Sequence, residues 1–565
     1  MTQTTLRSPD AGRNPATAAP EAPRRPAPPR RPLPLRLLRR GVVWKSLLVA
    51  AAGLLVQWMI MPPPLYADPF YVFTAGKLWP DIPIGEEPFL DVPHQITRMG
   101  LVLPTMVAER LLGDGQAAYF AVAALGGCLF FVGAFLAVRS LFGETAGLVT
   151  ALVLLVHPFF ILVNPYGSEV TWATGAILPD MPGAGLFALG VAALVTASRR
   201  AGRRQTQFLL MAGLFFGCAF LAREFLAFMY LAIPAFVALL RVPLRRLTVI
   251  AAPMLGVLAV NLVHNAVVFG DPLTELRSAA GHGGMPAEPV TRMDALTSFP
   301  RAMYEWDALG TIFIVALALN VVGFLATRDR RLAFTLVWFA TLWAPLTLMS
   351  GTLDPTDISL RGWLVRYWFA VLPALAAGGL GSLILLTRRF GPPLARSLVP
   401  PAIRFGAPLA DRLGVPRGKR RAVARRAGTV TAGALAIAVA AAYLVPAGVQ
   451  IAEQPRDTAW AELRGWLSAE EDPPVETIWA DERLGQTLSF YTQDVWGEQV
   501  WDGEIRTFRQ IDGELPVAAV NGPLLYTEWR GQEPPSSNGV RPSTESGWEL
   551  EWRSSDDVLE LWDRR

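Results

Sequence analysis

The sequence predicts a mostly α protein, a polytopic transmembrane helical bundle of about 11 spans followed by a small C-terminal extracytoplasmic α/β domain. Three observations predict it. Apolar residues make up 52% of the 565 and charged residues only 17%. Runs of about 20 apolar residues recur between residues 41 and 447, the length a helix needs to cross a bilayer. Beyond about residue 450 the character changes, to 10 basic and 24 acidic residues with half of the chain's 18 tryptophans.

Residues 1–40 are rich in Pro, Ala and Arg and poor in large apolar residues, a composition that predicts a disordered, basic, cytoplasmic N-terminus. GVVWKSLLVAAAGLLVQWMI (41–60) is the first span, and Pro62, Pro63 and Pro64 stop it. No small-residue cleavage site follows, so the span is expected to stay in the mature protein. Further spans are expected at 116–138, 145–163, 179–197, 207–222, 225–240, 247–268, 308–326, 332–350, 367–386 and 428–447. Only Arg223-Glu224 divides the fifth from the sixth.

Basic residues set the expected orientation. The segments 1–40, 139–144, 198–206, 241–246, 327–331 and 387–427 hold 31 of the 51 Lys and Arg, which places them and the N-terminus in the cytoplasm. After an odd number of spans the tail 450–565 is extracytoplasmic. The formal net charge of +4 hides this split and says nothing of nucleic acid; the Arg-rich segments face anionic lipid instead. In the tail, VETIWA (475–480), PVAAV (516–520), GPLLYTEW (522–529), WELEWRS (548–554) and DVLELW (557–562) read as strands, with a helix over 481–492 and a loop over 534–547. Cys128 and Cys218 fall in predicted spans as small buried residues, so the tail needs a core of its own.

The chemistry is expected at the outer ends of the spans. Asp68 follows the first span in LYADPFYVF, where an acid costs free energy unless it has a partner or a task. Its loop, 62–115, also holds Lys77, His94, Arg98 and Glu109, and ITRMGLVLPTMVAERLLG (96–113) has the spacing of an amphipathic helix lying in the interface. Asp180 opens the fourth span in GAILPDMPGAGLFALGV, either as a helix cap or as a site acid. Glu169 lies in the same outer loop. Two acids from separate loops are able to divide the work of taking a proton from a hydroxyl and orienting it, or to hold a divalent cation such as Mg or Mn. Arg361 and Arg366, in ISLRGWLVRYWFAVLPALAAG, and the external Arg98 and Arg223 are cations suited to a lipid phosphate. No zinc-ligand spacing, P-loop, dinucleotide fingerprint or GxSxG occurs.

This order of motifs resembles the GT-C membrane glycosyltransferases, in particular the dolichyl-phosphate-mannose protein mannosyltransferase and aminoarabinose transferase group. The resemblance spans about 41–450. It rests on the acid after the first span (Asp68), the interfacial helix at about 96–112 and the acid opening span 4 (Asp180). Arg366-Tyr367 with Pro373 opening a late span and the extracytoplasmic tail complete it. Here Asp68 is followed by Pro69 where many members have a second acid, and PHQITR (93–98) alters a stretch that is HPP-like in some, leaving His94 a loose match. The resemblance implies a catalytic domain over 41–449 and transfer of a sugar from a polyprenyl-phosphate donor to a glycan, lipid or protein acceptor hydroxyl at the outer face of a bacterial plasma membrane. It implies inversion, with Asp68 as general base, Asp180 as the second carboxylate, and Arg366, Tyr367, Arg361 and Arg98 on the lipid phosphate. The alternatives are a lipid or glycan transporter or flippase, and a non-catalytic cell-envelope assembly protein whose tail binds a partner.

Overall fold

The computed structural model describes residues 41–60, 67–85, 93–161, 176–281, 291–305, 308–353, 364–390, 441, 444–445, 448–449, 458–468, 475–508, 520–527 and 542–564. The chain divides into two units, Met1–Lys45 and Ser46–Arg565. Of the first, the described residues 41–45 are helical. Residues 1–40, the expected strand at 516–519, most of the expected loop 534–547 and most of the expected span 428–447 lie outside the described residues.

Seven helices are long and apolar enough to cross a membrane. In chain order they include α1 (Gly41–Ile60), α4 (Gln116–Phe142), α6 (Asp180–Ala197), α7 (Gly202–Ala222) and α9 (Leu247–Phe269). The last two are α13 (Arg330–Thr347), whose apolar run continues to Thr352, and α14 (Val365–Phe390). Three shorter apolar helical segments fall where further spans are expected: α5 (Glu144–Leu155), Glu224–Leu239 with α8 (Ala232–Leu239) as its α-helical part, and α12 (Thr311–Thr327). The chain is a multi-pass membrane protein. Large apolar side chains on α1 and α9, such as Trp58, Leu55, Val263 and Val267, are exposed, as lipid-facing residues are.

Close packing at the centre depends on small residues. A Cβ on Gly185 of α6 would stand 2.3 Å from the Leu129 carbonyl carbon of α4, so only glycine lets these two backbones meet. Around them lies an aromatic core in which Phe187 packs on Phe216 and Trp338, and Phe130 on Phe160 and Phe369. The indole of Trp338 donates to the Ala370 carbonyl at 3.0 Å, which satisfies its one polar group.

Two shorter helices precede α4. These are α2 (Ala67–Leu78) and α3 (Met99–Leu112), the latter at the place expected for the interfacial helix. Between α9 and α12 lie α10 (Thr274–Gly281) and α11 (Arg292–Glu305).

The C-terminal part contains α15 (Thr458–Leu467) and α16 (Glu482–Tyr491) with a five-stranded mixed sheet. Its strands are β1 (Thr477–Asp481), β2 (Glu504–Phe508), β3 (Leu524–Thr527), β4 (Trp548–Arg553) and β5 (Leu559–Arg564), in the order β2-β1-β3-β5-β4. β1 runs parallel to β2 and β3, and β5 antiparallel to β3 and β4. Four of the expected strands and the helix between them form; β2 and α15 went unforeseen. β2 alternates charged with apolar residues on a largely exposed edge, and its pattern is too short to stand out. This part has an apolar cluster of its own, made of Val520, Leu524, Tyr526, Trp548 and Trp562, and it shares a second one with the membrane part. Phe490 of α16 packs edge-on against Phe70 and Phe73 of α2 and Tyr119 of α4, at centroid distances of 5.5–5.8 Å. One apolar cluster therefore joins the tail to the first loop. Four tail tryptophans, Trp460, Trp501, Trp548 and Trp562, are buried as core, whereas Trp496 is exposed.

Candidate active site

Three loops bring a buried charge cluster together. Asp68 lies in the first turn of α2, where the helix dipole favours a carboxylate. It is partly buried, and the side-chain amide of Gln95, from the turn before α3, donates to its Oδ1. Arg98 follows in the same turn and is 2% exposed. Its Nε and Nη2 donate to the two carboxylate oxygens of Glu224 at 2.9 and 2.8 Å, a paired, charge-assisted geometry. Burial works against the Arg98 charge. Glu224 outweighs it, with Asp68 and Asp180 adding to the effect, and the group is held above its ordinary value. Both aspartates are thus within electrostatic reach of one guanidinium.

Asp180 begins α6, but its side chain caps nothing: the helix start shows no side-chain cap, and neither carboxylate oxygen has a hydrogen-bond partner among the described residues. It is 4% exposed, and Nη2 of Arg223 lies 3.4 Å from its Oδ1. Of the two readings the sequence left open, the carboxylate is used toward a charge and not toward the helix. Arg223 in turn stands over the rings of Phe225 and Tyr367 at 4.7 and 4.9 Å, and Arg366 over Tyr367 at 5.8 Å. Arg366 and Tyr367 enter in a short 3-10 turn, Val365–Val371, that opens α14. A continuous path of contacts therefore runs from Asp180 through Arg223 and Tyr367 to Arg366.

His94 is buried beside Gln95, and its backbone carbonyl accepts from the Thr97 hydroxyl at 2.8 Å. Glu169 and Arg361 lie outside the described residues. Sequence reasoning missed Glu224, which pairs with Arg98, and had Arg223 only as an external cation, not as the partner of Asp180. The available signal was their adjacency, two opposite charges interrupting an apolar run from 207 to 240. As metal ligands the residues fit poorly. No three His, Cys, Asp or Glu side chains come together among the described residues, Arg223 faces Asp180, and Gln95 occupies one oxygen of Asp68.

An apolar cavity of about 290 Å³ adjoins this cluster. Met99 and Gly100, next to Arg98, and Met181 and Pro182, next to Asp180, are among its lining residues.

Comparison with known proteins gives the following. Residues 105–269 match the sequence model of the dolichyl-phosphate-mannose-protein mannosyltransferase family, a span that includes Asp180, Arg223 and Glu224. The crystal structure of ArnT from Cupriavidus metallidurans bound to undecaprenyl phosphate is similar in fold, with a TM-score of 0.52 and 15% identity over 93% of this chain and 98% of that one. The apo form of the same protein gives 0.52 and 16% over the same shares. An Archaeoglobus fulgidus oligosaccharyltransferase overlays with a TM-score of 0.44 and 13% identity, over 87% of this chain and 70% of that one. No curated protein sequence matches the chain.

Proposed function

We propose that this chain, a member of the GT-C superfamily of membrane glycosyltransferases, moves a sugar from a polyprenyl-phosphate donor to an acceptor hydroxyl at the outer face of a bacterial plasma membrane. The observation that supports it most is the placing of Asp68. It sits at a helix start with one oxygen held by Gln95 and within electrostatic reach of Arg98, whose chain neighbours Met99 and Gly100 line an apolar cavity.

In this reading the free oxygen of Asp68 takes the proton from the acceptor hydroxyl as that oxygen forms its bond to the anomeric carbon. The bond from that carbon to the phosphate oxygen breaks on the opposite side, which inverts the configuration, and polyprenyl phosphate leaves with the electron pair. The sugar passes through oxocarbenium character on the way. Arg366, with Tyr367 and Arg361, answers the charge that builds on the phosphate. Arg98 keeps the field near Asp68 positive while Glu224 holds it in place, and Asp180 positions Arg223 against Tyr367. The apolar cavity next to Met99 suits the first part of a prenyl chain. Such a reaction needs no energy source beyond the activated donor.

The Lys and Arg distribution supports a cytoplasmic N-terminus, with 41–449 as the catalytic domain and 450–565 outside the membrane. The ArnT structure holds undecaprenyl phosphate, which supports a carrier of that class here. The acceptor is a glycan, a lipid or a protein.

The test incubates purified protein with labelled polyprenyl-phosphate sugars and a membrane extract, comparing wild type with Asp68→Asn. Transfer by wild type, lowered by a factor of about 100 to 10,000 in the variant, is expected. Equal transfer by both removes Asp68 as the base, and no transfer from any donor removes the reaction.

A further inference from the structure

A cleft of about 520 Å³ opens between the first loop and the C-terminal part. Sites for small molecules run from about 300 to 1,000 Å³. One wall is α2, which offers Phe70, Phe73, Thr74 and Lys77, spaced three or four residues apart along one helix face. The other wall is α16 with the turn after it and β2, which offer Ser489, Phe490, Gln493 and Thr507. Phe490 ties the walls together, edge-on to Phe70 and Phe73 at 5.7 and 5.8 Å.

Four polar side chains line this cleft and make no hydrogen bond to another described residue: Thr74, Ser489, Gln493 and Thr507. Ser489 and Thr507 are exposed, and Thr74 and Gln493 are half-buried, so a ligand is able to reach them. The two charged groups of the lining, Lys77 and Asp114, are paired with each other. That pairing leaves no spare charge for a phosphate, a carboxylate or a cation. An acyl chain would leave the hydroxyls and the amide without partners. A hydroxyl donates and accepts, an amide does both as well, and so does every hydroxyl of a neutral sugar. The four groups stand at separate points on two walls and not along one strand edge, which suits a saccharide better than an extended peptide.

The position is informative too. α2 begins at the candidate base Asp68. The lining stripe lies about half a turn round the helix from Asp68 and runs from about 3 to 14 Å along the axis from it. A ligand in the cleft touches no reacting atom, yet it lies one helix width from the reaction.

We propose that the cleft between α2 and α16 is an exosite that holds a neutral saccharide stretch of the acceptor, so that the acceptor is a glycan. The assignment rests on the glycosyl-transfer reading of the preceding subsection and narrows it. Thr74, Ser489, Gln493 and Thr507 bind sugar units removed from the hydroxyl that reacts, and none of them exchanges a proton in the reaction.

The test measures binding of neutral linear tetrasaccharides of mannose, glucose, galactose and arabinose to the purified full chain, beside undecaprenyl phosphate and a neutral Ser- and Thr-rich heptapeptide. Wild type is expected to bind at least one tetrasaccharide, and that sugar to compete with transfer onto the membrane extract. Ser489→Trp, at an exposed position, fills the cleft and is expected to weaken saccharide binding about tenfold or more, and Thr74→Val about threefold or more. Affinity for undecaprenyl phosphate is expected to stay within about threefold in both, a control on folding. No tetrasaccharide bound by wild type, or unchanged saccharide binding in Ser489→Trp, overturns the assignment, as does binding of the heptapeptide alone. If Ser489→Trp loses the lipid as well, the nearly isosteric Thr74→Val decides, and unchanged saccharide affinity there overturns the assignment. Transfer from a lipid donor without saccharide binding defeats this assignment alone. A wild type that transfers no sugar from any donor defeats the reaction and the acceptor exosite with it.

Discussion

Replacing Glu224 by Gln leaves the Arg98 guanidinium buried without the carboxylate that answers it. Arg98 is 2% exposed and gives Glu224 two charge-assisted bonds, at 2.8 and 2.9 Å. Removing one partner of such a buried pair costs about 3–5 kcal/mol, because the remaining charge has lost both water and partner. Asp68 and Asp180 still attract Arg98, which argues for the lower end, about 3 kcal/mol or roughly two decades in the folded-to-unfolded ratio. The assay is reversible unfolding of the purified protein in mixed micelles, for Glu224→Gln, Arg98→Met and the double variant. Each single variant is expected to lose about 3 kcal/mol, and the double variant less than their sum by at least about 2 kcal/mol. Additive losses, with a coupling below about 0.5 kcal/mol, refute the reasoning, since that is how an exposed, solvated pair behaves.

Three further outcomes follow from the same geometry. Asp180→Asn leaves Arg223 without its counter-charge against Phe225 and Tyr367; transfer activity is expected to fall about tenfold or more, and Arg223→Met combined with Asp180→Asn to lose little beyond either single change. The Glu109 carboxyl on α3 is pushed up to about 8 by burial, with Asp114 adding to the shift and Lys77 opposing it. Its folded value exceeds its unfolded one, so the stability it lends is whole below about pH 4.5 and drains away as pH rises through about 8, by up to roughly 1.4 kcal/mol per unit. Thermal midpoints measured from pH 5 to 9 are expected to fall in wild type and to flatten in Glu109→Gln. Gly113 has φ +79°, and a Cβ there would sit 1.8 Å from the Trp496 carbonyl oxygen, so Gly113→Ala is expected to cost about 1–3 kcal/mol and to raise protease cleavage of the C-terminal part; unchanged cleavage rejects the docked contact.

Much of the architecture was legible because a bilayer imposes a crude rule. A segment of about 20 apolar residues either spans or pays heavily, and so α1, α4, α6, α7, α9, α13 and α14 stand out in a linear reading. Asp68 and Asp180 were legible for the same reason, as acids where acids are costly. Glu224 was not. In the sequence it is half of a charged pair between two apolar runs, and its meaning depends on Arg98, 126 residues away.

The chain's own composition decided that it enters a membrane many times, which ends of its helices bear charge, and that a Trp-rich, acidic part follows. Hydrophobicity is additive along a sequence, so these properties need no knowledge of neighbours. The pairing of those charges is a matter of the folded molecule. Arg98 meets Glu224, Arg223 meets Asp180, and Phe490 closes on the α2 helix that begins beside Asp68. Coulomb energies and packing fall off within a few ångströms, and only the folded backbone brings residues this far apart in the chain within that range.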